Sequence, residues 1–342
     1  MKSESTTKRQ VMRNPYFDFL RGIAILMVVG IHTYPGNHNL TGPVSEVVQL
    51  VLINIFNCAV PLFLAISGYF LAKKKLTTWI DCREFWKKQI PVVYIPCLIF
   101  SLPWFITSCI SMSWGGIFAN TLNFFLCGYS VYYFIALIIE CYLLAPVLVR
   151  HNNVTTLILT IIISLSATLM AEYTRFYLGV ELPLLLRGSC PVLLIFFYIG
   201  IFLSRHSRNY SLWIPISLMV TGIILGLLQM QYIRETFAIS AQGQKITLYL
   251  FDAGVILFCM SQKCESAYRA NPINRLILYI GEISFGIYFT HVYLIYIADR
   301  FFPAMRENWI ILWLFSLILT MLIIMAVKKI APVYAKKYLG YR

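Results

Sequence analysis

The chain has 342 residues, 59% of them hydrophobic and 12% charged, with a mean hydropathy of +0.75. That apolar share exceeds the roughly 45–50% of soluble domains, which excludes an ordinary soluble globule and points to a polytopic membrane protein. The formal charge of +14 would suggest nucleic acid in a soluble protein, but no DNA-binding motif accompanies it, and in a membrane protein the placement of basic residues matters more than their number.

A spanning helix needs roughly 17–25 mainly apolar residues. Ten stretches qualify, at approximately 16–34, 47–71, 90–111, 130–149, 154–172, 189–204, 211–231, 246–261, 278–298 and 309–327. Ten is even, so both termini fall on one side. Lys and Arg set the orientation: 21 of the 28 lie on the side of the termini, six (Arg175, Arg187, Arg234, Lys245, Arg300, Arg306) on the other, and Arg21 inside the first helix. The positive-inside rule therefore predicts an all-α bundle of about ten transmembrane helices with both termini cytoplasmic, and it accounts for the net charge without a nucleic-acid partner. The organisation expected is a cytoplasmic tail over 1–15, one membrane domain over 16–327 and a second cytoplasmic tail over 328–342. The first apolar run is longer than a signal h-region and lacks an A-x-A cleavage site, so it is expected to remain in the mature protein. Nine scattered cysteines form no CxxC pair and no Cys/His cluster of zinc spacing; they read as small buried hydrophobes, and no metal site is expected.

The first helix, FDFLRGIAILMVVGIHT, carries Asp18, Arg21 and His32. An ionised group at mid-helix costs roughly 2.5–3.5 kcal/mol on insertion scales, so such residues face a bundle interior or a polar cavity. Arg21 and His32 are eleven residues apart, nearly on one face but roughly 16 Å apart along the axis. Two readings stand: a functional stripe, or an arginine that snorkels or pairs with Asp18 at i+3 beside an ordinary histidine at a helix end. In the ninth stretch, Ser284, Tyr288 and His291 share one face, as interhelical hydrogen-bonders or as site residues. Glu140 in the fourth is a third buried ionisable group, either neutral and inert or paired with His291 or Arg21. Ser67-Gly68-Tyr69 ends the second, where small residues serve close packing and a nucleophilic serine is the alternative. The loop Lys73 to Lys88 follows the positive-inside rule or binds anionic lipid or a phosphate-rich ligand.

Together LRGIAILMVVGIHT with its Arg-x10-His spacing, VPLFLAISGYFL, VYYFIALIIECYLLAPVL and SFGIYFTHVYLI resemble the acyltransferase-3 family, integral membrane enzymes that acylate sugars and lipids of the bacterial envelope. The resemblance implies transfer of an acyl group, commonly acetyl from acetyl-CoA as co-substrate with no bound cofactor, to a hydroxyl of a surface polysaccharide or its lipid-linked sugar precursor in the bacterial inner membrane. Arg21 and His32 match the family's essential arginine and histidine, and Ser67-Gly68-Tyr69 its SG-aromatic motif. Many members carry an Arg-x-x-Arg pair after the second helix, where this chain has Arg83, Lys87 and Lys88. The resemblance is to members without an extracytoplasmic hydrolase-like domain. Acyl transfer from a thioester needs a deprotonated hydroxyl and a stabilised oxyanion. His32 is the expected general base, Arg21 the grip on the donor's phosphates, and His291 or Tyr288 an orienting or proton-relay group, with Asp18, Ser67, Tyr69, Glu140 and Ser284 as further substrate-binding candidates. The competing class is a carrier or exporter of lipid-linked sugar or a small anion, for which buried charges would line a pathway.

Overall fold

The computed structural model describes residues 14–34, 43–110, 114–237 and 245–341, so most of the predicted N-terminal tail lies outside the described residues. Among them the chain is helical and contains no strand. Helix α1 (Pro15–Thr33) starts where the Asn14 side chain accepts the Tyr16 N–H at 3.0 Å, with Pro15 in its first turn. The second predicted span is broken into α2 (Pro43–Asn57) and α3 (Ala59–Leu71) at Cys58. Pro61 lacks the N–H that would bond the Asn57 carbonyl, which explains a break one turn before it.

Helix α4 (Trp79–Ile110) starts well ahead of its predicted position. Thr78 and Asp81 form a reciprocal cap, Asp81 N–H donating to Thr78 Oγ1 at 3.1 Å and Thr78 N–H to Asp81 Oδ2 at 2.9 Å. More than half of the basic "loop" is thus helical, and its remainder is pinned by Arg150, which donates to the carbonyls of Leu76 and Thr77. Then follow α5 (Trp114–Phe125), α6 (Tyr133–Arg150), α7 (Val154–Phe176), the single turn α8 (Leu184–Arg187), α9 (Cys190–Leu203), α10 (Trp213–Phe237) and α11 (Leu248–Cys259). The chain ends with α12 (Gln262–Ala267), α13 (Pro272–Glu282), α14 (Ser284–Phe301), α15 (Trp309–Ile330) and α16 (Pro332–Tyr338).

Every predicted span coincides with helix. Among the described residues eight helical segments are long and apolar enough to cross a membrane, and α13 with α14, bent by 80°, would make a ninth if the pair crosses as one span. The predicted 246–261 span is the short apolar helix α11 of 12 residues, less than a bilayer crossing requires. The architecture is a polytopic helical bundle. Helices α1 and α9 are its most enclosed members and α7 and α10 its most peripheral. The predicted C-terminal tail is ordered into the end of α15 and α16, and Tyr341 is buried with its hydroxyl 2.7 Å from Thr290 Oγ1 on α14.

Two glycine contacts hold the inner helices together. A Cβ on Gly281 of α13 would lie 1.8 Å from the Asp18 carbonyl, and one on Gly22 would lie 2.0 Å from the Ile277 carbonyl, so α1 and α13 meet backbone to backbone. The same device joins α3 to α9 through Gly68 against Phe197 and Gly200 against Ala65. Small residues permit this approach, and without a hydrophobic drive inside lipid such packing supplies much of the association.

Candidate active site

A cavity of about 770 Å³ lies among the inner helices. Its wall carries Arg21, Ser67, Gln89 and Ser284, and also Glu172, Arg175, Glu181, Arg187 and Lys245; since successive spans run in alternate directions, the first group lies towards one membrane face and the second towards the other. His32 lies on the wall with Asn57 and Tyr288.

Arg21 is placed by its own helix. Its Nη1 donates to Asp18 Oδ1 at 2.7 Å, and the guanidinium stands 5.3 Å from the Phe70 ring centre. The Asp18 side chain is only 2% exposed, while that of Arg21 is 30% exposed. Asp18 therefore fixes the arginine from behind, and the remaining N–H groups are available to a ligand in the cavity. Gly68 lets α9 close on α3, which leaves the neighbouring Ser67 on the cavity wall.

His32 sits in the last turn of α1, and its ring centre is 5.4 Å from that of His291 on α14. His291 is fully buried and not among the lining residues. Its Nδ1 is 2.9 Å from the Ile287 carbonyl, which requires the N–H on Nδ1 and leaves Nε2 as an acceptor with no hydrogen-bond partner. Tyr288 presents its ring to the cavity while its hydroxyl donates to the Val131 carbonyl at 2.6 Å.

The bend before Ser284 lies inside what the sequence reads as one continuous helix, and its physical basis is visible. Gly281 is pressed against α1, Ile283 leaves helical geometry, and α14 starts afresh with Ser284 on the cavity wall.

Three other candidates stand away from the wall. Asp18 acts through Arg21. Tyr69 stacks on Phe17 at 4.7 Å and lies under the Lys73 ammonium at 4.3 Å, outside the cavity. Glu140 accepts the Cys190 N–H at 2.6 Å, capping the N-terminus of α9, where a carboxylate also meets the positive end of the helix dipole. Its bond goes to α9 and to neither His291 nor Arg21. Of the basic residues at the start of α4, Arg83, Lys87 and Lys88 do not line the cavity, whereas the adjacent Gln89 does.

The whole far end was missed in the sequence. Arg175 Nε and Arg187 Nη1 share the Glu181 carboxylate at 2.8 and 3.1 Å. Glu172 accepts from Gln229 Nε2 at 3.0 Å and from the Ile246 N–H at 3.1 Å, with Lys245 beside it. Burial drives the Lys245 ammonium down to about 8, with Arg175 acting in the same sense and Glu172 partly opposing it. A signal for this end exists: three of the six Lys and Arg predicted against the positive-inside bias are these three.

A cavity with a fixed guanidinium at one end, an imidazole on its wall and charged groups at the other can hold a polar molecule within an apolar bundle. No curated protein and no solved structure matches this chain. A family model described as an acyltransferase domain matches residues 14–329, nearly the full length, and the chain therefore belongs to the acyltransferase-3 family and is a membrane acyltransferase.

Proposed function

We propose that the chain is an O-acetyltransferase of the bacterial cytoplasmic membrane, taking acetyl from acetyl-CoA at the Arg21 end and passing it to a hydroxyl of a cell-envelope glycan or its lipid-linked precursor reaching in from the Arg175 end. The observation that carries this reading is a single cavity that has Arg21, His32 and the Arg175 cluster on its wall. Arg21 and His32 are roughly 16 Å apart by helical rise, a span comparable to an extended pantetheine arm. Arg21 holds donor phosphate through its fork of N–H groups. The thioester then lies near His32. His32 takes the proton of the acceptor hydroxyl; the oxygen attacks the thioester carbonyl, the new C–O bond forms, the C–S bond breaks, and the CoA thiolate leaves and is protonated. His291, packed behind His32, acts as a positioning residue that holds its ring.

A cavity with charged ends also suits a carrier of lipid-linked sugar or a small anion, but family membership favours the enzyme. The test uses purified protein, acetyl-labelled acetyl-CoA and candidate lipid-linked sugars, with the mass of the surface glycan compared in cells with and without the protein. Label in the sugar and loss of an acetyl increment from the glycan support the reading. Loss of the whole polymer with no labelled product refutes it in favour of transport.

A further inference from the structure

Basic residues on the far side of a membrane protein work against the insertion bias, yet Arg175, Arg187 and Lys245 converge on one cavity mouth. Lys245 is only 3% exposed. A buried ammonium is costly unless counter-charge and hydrogen bonds compensate it, and the neighbouring Glu172 already accepts from Gln229 and the Ile246 backbone. Glu181 is shared by two guanidiniums and lies on the connection between α7 and α8 with its side chain 58% exposed. Arg187 Nε is buried with no hydrogen-bond partner. Three cations thus face two carboxylates, and one guanidinium N–H has no hydrogen-bond partner among the described residues.

We infer that this mouth binds an oxyanion carried by the acceptor, a phosphate or a carboxylate on the sugar that receives the acyl group. The inference rests on the acyltransferase reading above and narrows its acceptor to acidic or phosphorylated sugars. Two arginines already grip one carboxylate here, the geometry of an oxyanion site, since guanidinium forks bind such groups in pairs of parallel hydrogen bonds, and Lys245 adds a third positive charge beside Arg175. Glu181 occupies that point as an exposed internal anion, which the incoming ligand displaces or joins.

The test reads binding without acyl-CoA: thermal stabilisation of the full-length protein in lipid nanodiscs by glucose 1-phosphate, glucuronate and glucose. Stabilisation by one of the two anions and not by glucose is expected, and the stronger anion identifies phosphate or carboxylate as the recognised group. Arg187→Gln abolishes the shift and Arg187→Lys keeps part of it. Glu181→Gln, which removes the negative charge between the two guanidiniums, strengthens binding several-fold, whereas a purely structural Glu181 would leave binding unchanged or weaker. Equal shifts with all three sugars, or unchanged anion binding in both Arg187→Gln and Glu181→Gln, overturn the inference. Acetyl transfer is then assayed separately with phosphorylated and neutral acceptors. Equal KM for the two counts against the anion site alone, while anion binding without transfer to any acceptor upholds the site and counts against the acetyltransferase reading.

Discussion

The two ends of the cavity are built by different means. At the Arg21 end the functional side chain stands mid-turn on a long helix, its partner Asp18 is one turn away and buried, and glycine contacts lock that helix to α13. At the other end Arg175 lies in the last turn of α7, Arg187 in the single turn α8, and Lys245 ahead of α11, with an exposed Glu181 between the arginines. Groups on packed helices keep their geometry, whereas groups on helix ends and connections move and vary more readily. That division suits the proposed reaction, in which acetyl-CoA is held at the rigid end and a larger acceptor at the other.

The largest expected effect separates the ends without damaging either. His32→Ala leaves Arg21 and the Arg175 cluster in place, so donor and acceptor still bind while acetyl transfer falls by about 10²–10⁴-fold, the usual contribution of a general base. Single-turnover assays with labelled acetyl-CoA, read beside membrane abundance, check this. Transfer at the wild-type rate would remove His32 from the chemistry.

The rigid end should also be the one that discriminates between cations. Arg21→Lys keeps a charge beside Asp18 but loses the planar fork, and the KM for acetyl-CoA should rise by about ten-fold or more. Lys245→Arg at the other end should change the acceptor KM by no more than about three-fold, because a lysine is a point charge and its replacement loses no planar fork. Equal sensitivity at both positions would erase the contrast.

How far these features were legible in the sequence follows the same division. The spans, and Arg21 and His32 as a pair on one face, follow from hydropathy and helical spacing, because both are local. The breaks at Cys58 and Ile283 were not, although Pro61 and Gly281 mark them, because a broken and a continuous span have the same hydropathy. The cap formed by Thr78 and Asp81 was a readable signal for an earlier α4. Glu140 illustrates the limit of local reasoning: its partner, the Cys190 N–H, is 50 residues away and carries no sequence mark, since every residue has a backbone amide. The Arg175 cluster joins three segments that are adjacent only once α7, α8 and α11 have packed.

A smaller effect concerns pH. Burial pushes Lys245 down to about 8, so if the mouth binds an oxyanion as inferred, the charged ammonium below that pH should attract it and the neutral amine above it should not. The KM for an anionic acceptor should therefore rise by about ten-fold or less between pH 7 and 9.5, while that for acetyl-CoA, whose proposed grip does not involve Lys245, stays flat. Glu172 and Arg175 are the charged neighbours of Lys245. Lys245→Met should flatten the profile, and a wild-type acceptor KM that is level across pH 8 would show that Lys245 does not meet the anion.

The smallest expected effect defines where the Arg21 end stops. Tyr69 follows Ser67 and Gly68 in the family motif, yet its ring lies between Phe17 and the cations Lys73 and Arg208, away from the cavity. Tyr69→Phe keeps the stacked ring and both cation contacts, so acetyl transfer should stay within about two-fold and thermal stability within about 0.5 kcal/mol. Tyr69→Ala removes a nearly buried aromatic side chain between α1 and α3 and should cost about 3–5 kcal/mol of stability, with activity per folded molecule retained. The pair separates packing from contact. If Tyr69→Phe lost transfer ten-fold at full stability, the hydroxyl would have to touch substrate, and the donor site would extend beyond the wall that Arg21, Ser67 and Gln89 define.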